Sequence, residues 1–428
     1  MNDAPDQGRV SGRRGWLLLA IAGGVYALVI LVVVVNRAES SSDFRDFWEN
    51  AVHFRETGVI SAELGVHNYL PFFTIFMLPW GFMPLQVAIA AFTLLSLALF
   101  AVSVVLVNDL LDDGPVQRPR GALLVTLGLI LAYVHSCAVL GNVGLLLVFL
   151  IVAGWFLVER GREWEAGAAI GLAALIKLLP IVLLLFFLFK RRWRVLGGAV
   201  TTTVVLGIGL PLATLGYQET VAQHKAFYER AVSGHSAIKT ITADRPTKAN
   251  FSNNAVPMVL RRLLSPIDGG KTSSRPLHVN FAELPRGVIL AIYVALMAGF
   301  VGLTCLATIR SPCCWPPESV NAGRVLRAQF GLWCCVMLLA APLVWTHYLP
   351  LAFWPLALVA DDVFRTQRGG GSLRKTSATV LILWLVCVGL LAWPAGRAAG
   401  AQMAGVVCLW AGLLILVLHR PHPRPHAP

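Results

Sequence analysis

The chain has 428 residues, 57% hydrophobic and only 13% charged, with apolar runs separated by short polar connectors, the composition of a polytopic membrane protein. Lipid offers the backbone no hydrogen bonds, and runs without period-two alternation exclude a barrel, so the fold class is all-α. The net charge of +13 lies mainly in the connectors and reads as a topology signal, with no nucleic acid as partner.

Arg9, Arg13 and Arg14 precede a first apolar run at 16–35, long enough to span and lacking a small-residue cleavage site. With that arginine cluster placed in the cytoplasm, further spans are expected at 85–107, 121–139 and 143–158. The run 166–189 carries basic residues at both ends, which one crossing cannot satisfy. Two short helices meeting at Lys177 to Pro180 can. Spans then follow at 195–214, 287–309, 325–343, 349–361, 377–394 and 403–419, so the bundle has about twelve transmembrane or half-membrane helices, with both termini cytoplasmic.

The whole chain 1–428 is expected to be one integral membrane domain bearing two polar excursions on its outer side, 36–84 and 215–286. In the first, Asp43 and Asp46 open an amphipathic stretch with Phe47, Ala51 and Phe54 on one helical face. Asp43 can cap that helix, serve as a base for a hydroxyl, or do both. The segment 69–84 is apolar but holds Pro71, Pro79 and Pro84, which points to a broken, partly embedded helix. The loop 215–286 mixes helical character with a Ser, Thr, Asn and Pro-rich stretch, and the tail 420–428 is expected to be disordered.

Eight cysteines show no spacing for disulfides or zinc: six lie in or beside apolar runs and Cys313 and Cys314 in a connector. No cofactor signature is present, and Asp43 with Asp46 supplies only two acids toward a cation, so no metal is assigned. Lys177, inside a hydrophobic stretch, costs about 2.5 to 3.5 kcal/mol at a helix centre unless an anion offsets it or it pairs or snorkels. Arg261 and Arg262 either bind a lipid phosphate or anchor an interfacial helix. His347, between Trp345 and Tyr348, sits in an aromatic belt.

The motifs DFRDFWENA at 43–51, NYLPFFTIFMLPWGFMP at 68–84, LGNVGLLL at 140–147, LIKLLP at 175–180 followed by FKRRWR, SNNAVPMVLRRLL at 252–264 and APLVWTHYLPLAFWPLAL at 341–358 occur in order. Together they resemble glycosyltransferase family 87, polyprenol-phosphate-sugar-dependent enzymes with the C-type fold. The resemblance implies transfer of a hexose, most often mannose, from a polyprenyl-phosphate carrier to a glycan or glycolipid at the outer face of the cytoplasmic membrane. By motif position it makes Asp43 and His347 the catalytic pair. Asp46, Tyr69, Asn142, Lys177, Asn253, Arg261, Arg262, Trp345 and Tyr348 are the expected substrate contacts. Leu70, Asn142 and Val344 depart from the usual motif residues. A transporter or flippase of lipid-linked sugars is the alternative, suggested by the many spans and the interrupted helix at Lys177.

Overall fold

The computed structural model describes residues 7–40, 43–61, 68–112, 121–246, 249–270, 275–310, 319–365 and 371–419. The tail 420–428, the Cys313 and Cys314 connector and the side chains of Arg9, Arg13 and Arg14 lie outside what is described.

The architecture is helical throughout. α1 (Gln7–Asn36) leads into the short α2 (Asp43–Thr57) and α3 (Pro71–Met77). The chain then runs through α4 (Leu85–Leu110), α5 (Gly121–Leu140), α6 (Gly144–Glu159), α7 (Glu163–Ile176), α8 (Leu183–Phe189), α9 (Trp193–Thr202) and α10 (Leu210–Phe227). Two small helices follow, α11 (Ala237–Thr242) and α12 (Val256–Leu264). The last third holds α13 (Arg286–Ile309), α14 (Val320–Leu339), α15 (Phe353–Phe364), α16 (Gly371–Gly389), α17 (Pro394–Ala398) and α18 (Ala401–His419).

Among the described residues eight helices are long and apolar enough to cross a membrane, and shorter apolar helices lie at Pro71–Phe82, Gly144–Glu159 and Leu179–Phe189. Every predicted span falls on a helix. α14 is buried nearly all round and forms the core with α15 and α18, whereas α1 and α13 leave most of their apolar surface uncovered, as helices facing lipid do. Trp155, Phe186, Phe330 and Trp354 fill the centre, with the Trp155 and Phe330 rings stacked at 4.6 Å.

Three features of the chain place the site. First, α7 stops at Ile176, Lys177 adopts an extended backbone (φ −151°, ψ 130°), and a 3₁₀ turn at Leu179–Val182 starts the next half-helix. Pro180 removes a donor and stops α7 from continuing, which is the predicted break. Second, α7 crosses α9 backbone to backbone: a Cβ on Gly167 would stand 2.0 Å from the Val195 carbonyl oxygen, and one on Gly198 2.2 Å from that of Trp164. Third, the predicted span 195–214 is part of a helix running from Trp193 to Ser233, which bends at Gly216 (φ +77°). The helical character expected in the loop 215–286 is the second helical segment, which starts after the non-helical Gly216.

α2 sits on the site side of the bundle through Phe44, Phe47, Ala51 and Phe54, the predicted apolar face extended by one residue. Trp48 Nε1 donates to the Met83 carbonyl at 2.9 Å and Arg55 to that of Gly81 at 2.5 Å, which ties the proline-broken segment along α2.

Candidate active site

The motif LGNVG shows how local chain chemistry builds the site. α5 ends in a Schellman motif: the Asn142 amide donates to the Cys137 carbonyl and the Gly141 amide to that of Ala138, both at 3.1 Å. That closure requires a left-handed residue, and Gly141 supplies it with φ +61°. The same glycine lets the turn touch α2, since a Cβ there would stand 2.5 Å from Phe44 Cβ. Gly144 allows the second approach, because its Cβ would meet the His347 carbonyl oxygen at 2.9 Å. The turn is thus wedged between the residues that carry Asp43 and His347.

Asn142 is oriented from both ends. Its Oδ1 accepts from the Gly144 amide at 3.0 Å, and its Nδ2 donates to Asp43 Oδ2 at 2.7 Å. A hydrogen bond donated to a carboxylate favours the ionised form and fixes its rotamer. His347 Nε2 stands 3.6 Å from the same Asp43 oxygen. Burial first, and the neighbouring Lys177 second, push the His347 imidazole well below its usual range, so it is neutral at neutral pH. At 3.6 Å it is a neutral polar neighbour of the Asp43 carboxylate.

Lys177 lies at the C-terminal end of α7, where the helix dipole favours a positive charge. Its ammonium sits 3.5 Å from the Tyr348 ring centroid and 5.7 Å from that of Tyr69. These aromatic faces offset part of the cost of holding the charge near lipid. Tyr69 is itself fixed by stacking on Phe73 at 4.2 Å and by the edge of Phe47 at 5.1 Å.

These groups open onto one cavity of about 750 Å³. Of the predicted residues, Asp43, Asp46, Tyr69, Asn142, Lys177, Trp345, His347 and Tyr348 line it. The remaining three do not. Asn253 is buried with its Oδ1 accepting from the amides of Ala255 (3.1 Å) and Val344 (3.4 Å), so it joins α12 to the strand-like segment before His347. Arg261 is turned to Ser265 Oγ and the Ala243 carbonyl. Arg262 is fully buried and donates to the carbonyls of Ala398, Ala249, Asn250 and Asn253. Neither arginine lines the cavity: Arg262 is committed to main chain and the Nη groups of Arg261 to Ser265 Oγ and the Ala243 carbonyl, so the structure does not place them as the expected substrate contacts.

Sequence reading missed Arg397, which lines the cavity from α17. Its motif, WPAGRAAG, sits between two spans with no partner in sequence, and nothing there marks it. Asp46 and Asp43 are the acids of the cavity, and among the described residues no group of three or more His, Cys, Asp or Glu side chains is placed to hold a metal ion.

The wall is polar near Asp43 and apolar around Leu178, Ile181, Val182 and Phe227, so the cavity suits a ligand with a polar head and a hydrocarbon tail.

Comparison with known proteins places this arrangement. Glycosyltransferase family 87 matches residues 67–316. The chain is 27% identical over 198 residues to an alpha-(1->3)-arabinofuranosyltransferase of Mycobacterium tuberculosis, which covers 43% of this chain and 44% of that protein. It is 26% identical over 217 residues to a polyprenol-phosphate-mannose-dependent alpha-(1-2)-phosphatidylinositol mannoside mannosyltransferase of the same organism, covering 45% and 50%. The chain thus spans half or less of the length of these two relatives. A protein of that second description from Mycolicibacterium smegmatis is 29% identical over 424 residues, 94% of this chain and 85% of the relative. No solved structure matches. With the family match running over more than half of its length, the chain belongs to glycosyltransferase family 87.

Proposed function

We propose that the enzyme transfers a hexose, mannose in the first instance, from a polyprenyl-phosphate-sugar donor to a glycan or glycolipid acceptor at the outer face of the cytoplasmic membrane. The observation that carries this reading is the Asp43 carboxylate, held by Asn142 at 2.7 Å in the same cavity as the Lys177 ammonium. Two relatives named for polyprenol-phosphate-mannose dependence support the donor class.

In this reading the acceptor hydroxyl oxygen attacks the anomeric carbon as the bond from that carbon to the phosphate oxygen breaks. Asp43 takes the hydroxyl proton, and the phosphate leaves as an anion already stable in water, so no general acid is required. Lys177 meets the charge that develops on the leaving oxygen. A single displacement of this kind inverts the anomeric carbon. Tyr69, Trp345 and Tyr348 supply aromatic walls for sugar and carrier, and neutral His347 steadies the acceptor hydroxyl beside Asp43.

The test uses purified protein in lipid nanodiscs, radiolabelled polyprenyl phosphate mannose and a membrane glycolipid extract, with mass spectrometry of the product. Asp43→Asn is expected to lower transfer by about 10²-fold or more, the usual scale for removing a general base. An Asp43→Asn protein with an unchanged melting temperature and the wild-type rate overturns the role of Asp43.

A further inference from the structure

We propose that Arg397 is a phosphate-gripping residue of the lipid-linked donor site and that buried Arg262 is the residue that positions it. The proposal rests on the donor class given above and adds the side chains that recognise its charged group.

Arg262 has no reach toward a ligand. Its Nε donates to the Ala398 carbonyl at 2.7 Å, one Nη to those of Ala249 at 3.2 Å and Asn250 at 2.9 Å, and the other to that of Asn253 at 2.8 Å. Four of the guanidinium's five donors are committed to main chain, and the group is completely buried. What this achieves is mechanical. One side chain ties α17 to the loop 249–253, two segments far apart in sequence.

The knot presents specific neighbours to the cavity. The residue before Ala398 is Arg397, and the loop held by the same guanidinium carries Phe251 and Ser252. The Arg397 guanidinium lies 4.6 Å from the Phe251 ring centroid, and one Nη donates to Ser252 Oγ at a long 3.4 Å. Its Nε is buried and has no hydrogen-bond partner. Arg397 and Ser252 line the same cavity as Lys177 and Asp43.

An arginine so placed is supported from behind, orphaned at one donor and facing a cavity, and its guanidinium is partly desolvated without a carboxylate paired to it. Such a group is stabilised when an anion arrives. The planar fork suits two oxygens of a tetrahedral phosphate, where Lys177 supplies a point charge. The cation–π contact with Phe251 orients the guanidinium plane and leaves its edge for the ligand.

The experiment is equilibrium binding of a short-chain polyprenyl phosphate to the full-length protein in nanodiscs. Uncharged polyprenol and inorganic phosphate serve as separate probes, and melting temperature is followed in parallel. Arg397→Gln is expected to weaken polyprenyl phosphate binding by about tenfold or more while leaving polyprenol unchanged, and Arg397→Lys is expected to fall between. Methylguanidinium added to Arg397→Ala is expected to restore part of the loss, a rescue that a purely structural role would not show. Ser252→Ala, which removes only the long contact, is expected to weaken binding less than Arg397→Gln. A folded Arg397→Gln protein that binds polyprenyl phosphate as tightly as wild type overturns the proposal. Equal binding of inorganic phosphate, with no gain from the lipid chain, overturns the lipid assignment. Wild-type protein that does not distinguish polyprenyl phosphate from polyprenol overturns the donor class itself, separately from Arg397.

Discussion

At the scale of single residues, the site is governed by what each polar group is given to bond. Asp43 and Asp46 look equivalent three residues apart, yet only Asp43 meets the Asn142 amide and His347. Asp46 is pushed above its ordinary value by desolvation first and by Asp43 and Glu49 next, the position of an acid left on the rim. His347 carries a pH prediction. Its value in the fold lies below that of the unfolded chain, near 6.5, so the unfolded state takes up the proton first. Its contribution to stability is therefore complete above about pH 6.5 and declines as pH falls through that value. Thermal unfolding in detergent across pH 5 to 8 should show this acid-side loss in wild type and a flatter profile in His347→Gln, after the shared contribution of the carboxylates is subtracted.

At the scale of elements, glycines decide how closely helices meet. Gly141→Ala places a side chain on a left-handed residue and 2.5 Å from Phe44 Cβ. The backbone strain alone is about 1 to 2 kcal/mol, and the clash adds about 1 to 3 kcal/mol by the usual cost of overpacking. Gly167→Leu meets a backbone oxygen that cannot move aside and should separate α7 from α9, shifting Lys177 at the end of α7. Gly128→Ala is the control, since a Cβ there meets nothing within 4 Å. Melting temperature and transfer rate should both fall for Gly141→Ala and Gly167→Leu and stay near wild type for Gly128→Ala. Retained transfer in Gly141→Ala would show that the turn does not hold Asn142 in register.

At the scale of the molecule, membership of glycosyltransferase family 87 supports the proposed transferase over the transporter reading. The break at Lys177 that suggested transport instead carries a cation into a cavity lined by Asp43. The proposed outer-face topology places Glu56 outside and Lys375 inside. A membrane-impermeant maleimide applied to intact cells should label Glu56→Cys and spare Lys375→Cys, measured against the background of the native cysteines. The opposite pattern would invert the proposed topology and put the cavity on the cytoplasmic side.

The chain's own order determined the helical class, the spans, the break before Pro180 and eight of the residues that line the cavity. Those follow from local causes: hydrocarbon length, the backbone's need for internal hydrogen bonds, proline geometry and motifs that are contiguous in sequence. Arg262 and Arg397 show what tertiary structure alone decided. On α12 Arg261 and Arg262, both buried, look alike in sequence, and only the approach of the 249–253 carbonyls and α17 commits Arg262 to main chain. Arg397 stands alone between two spans and gains its place through residues over a hundred positions away, Phe251 and Ser252. Whether a charged side chain serves the fold or the ligand depends on which carbonyls and rings arrive beside it, and only the packed chain determines that.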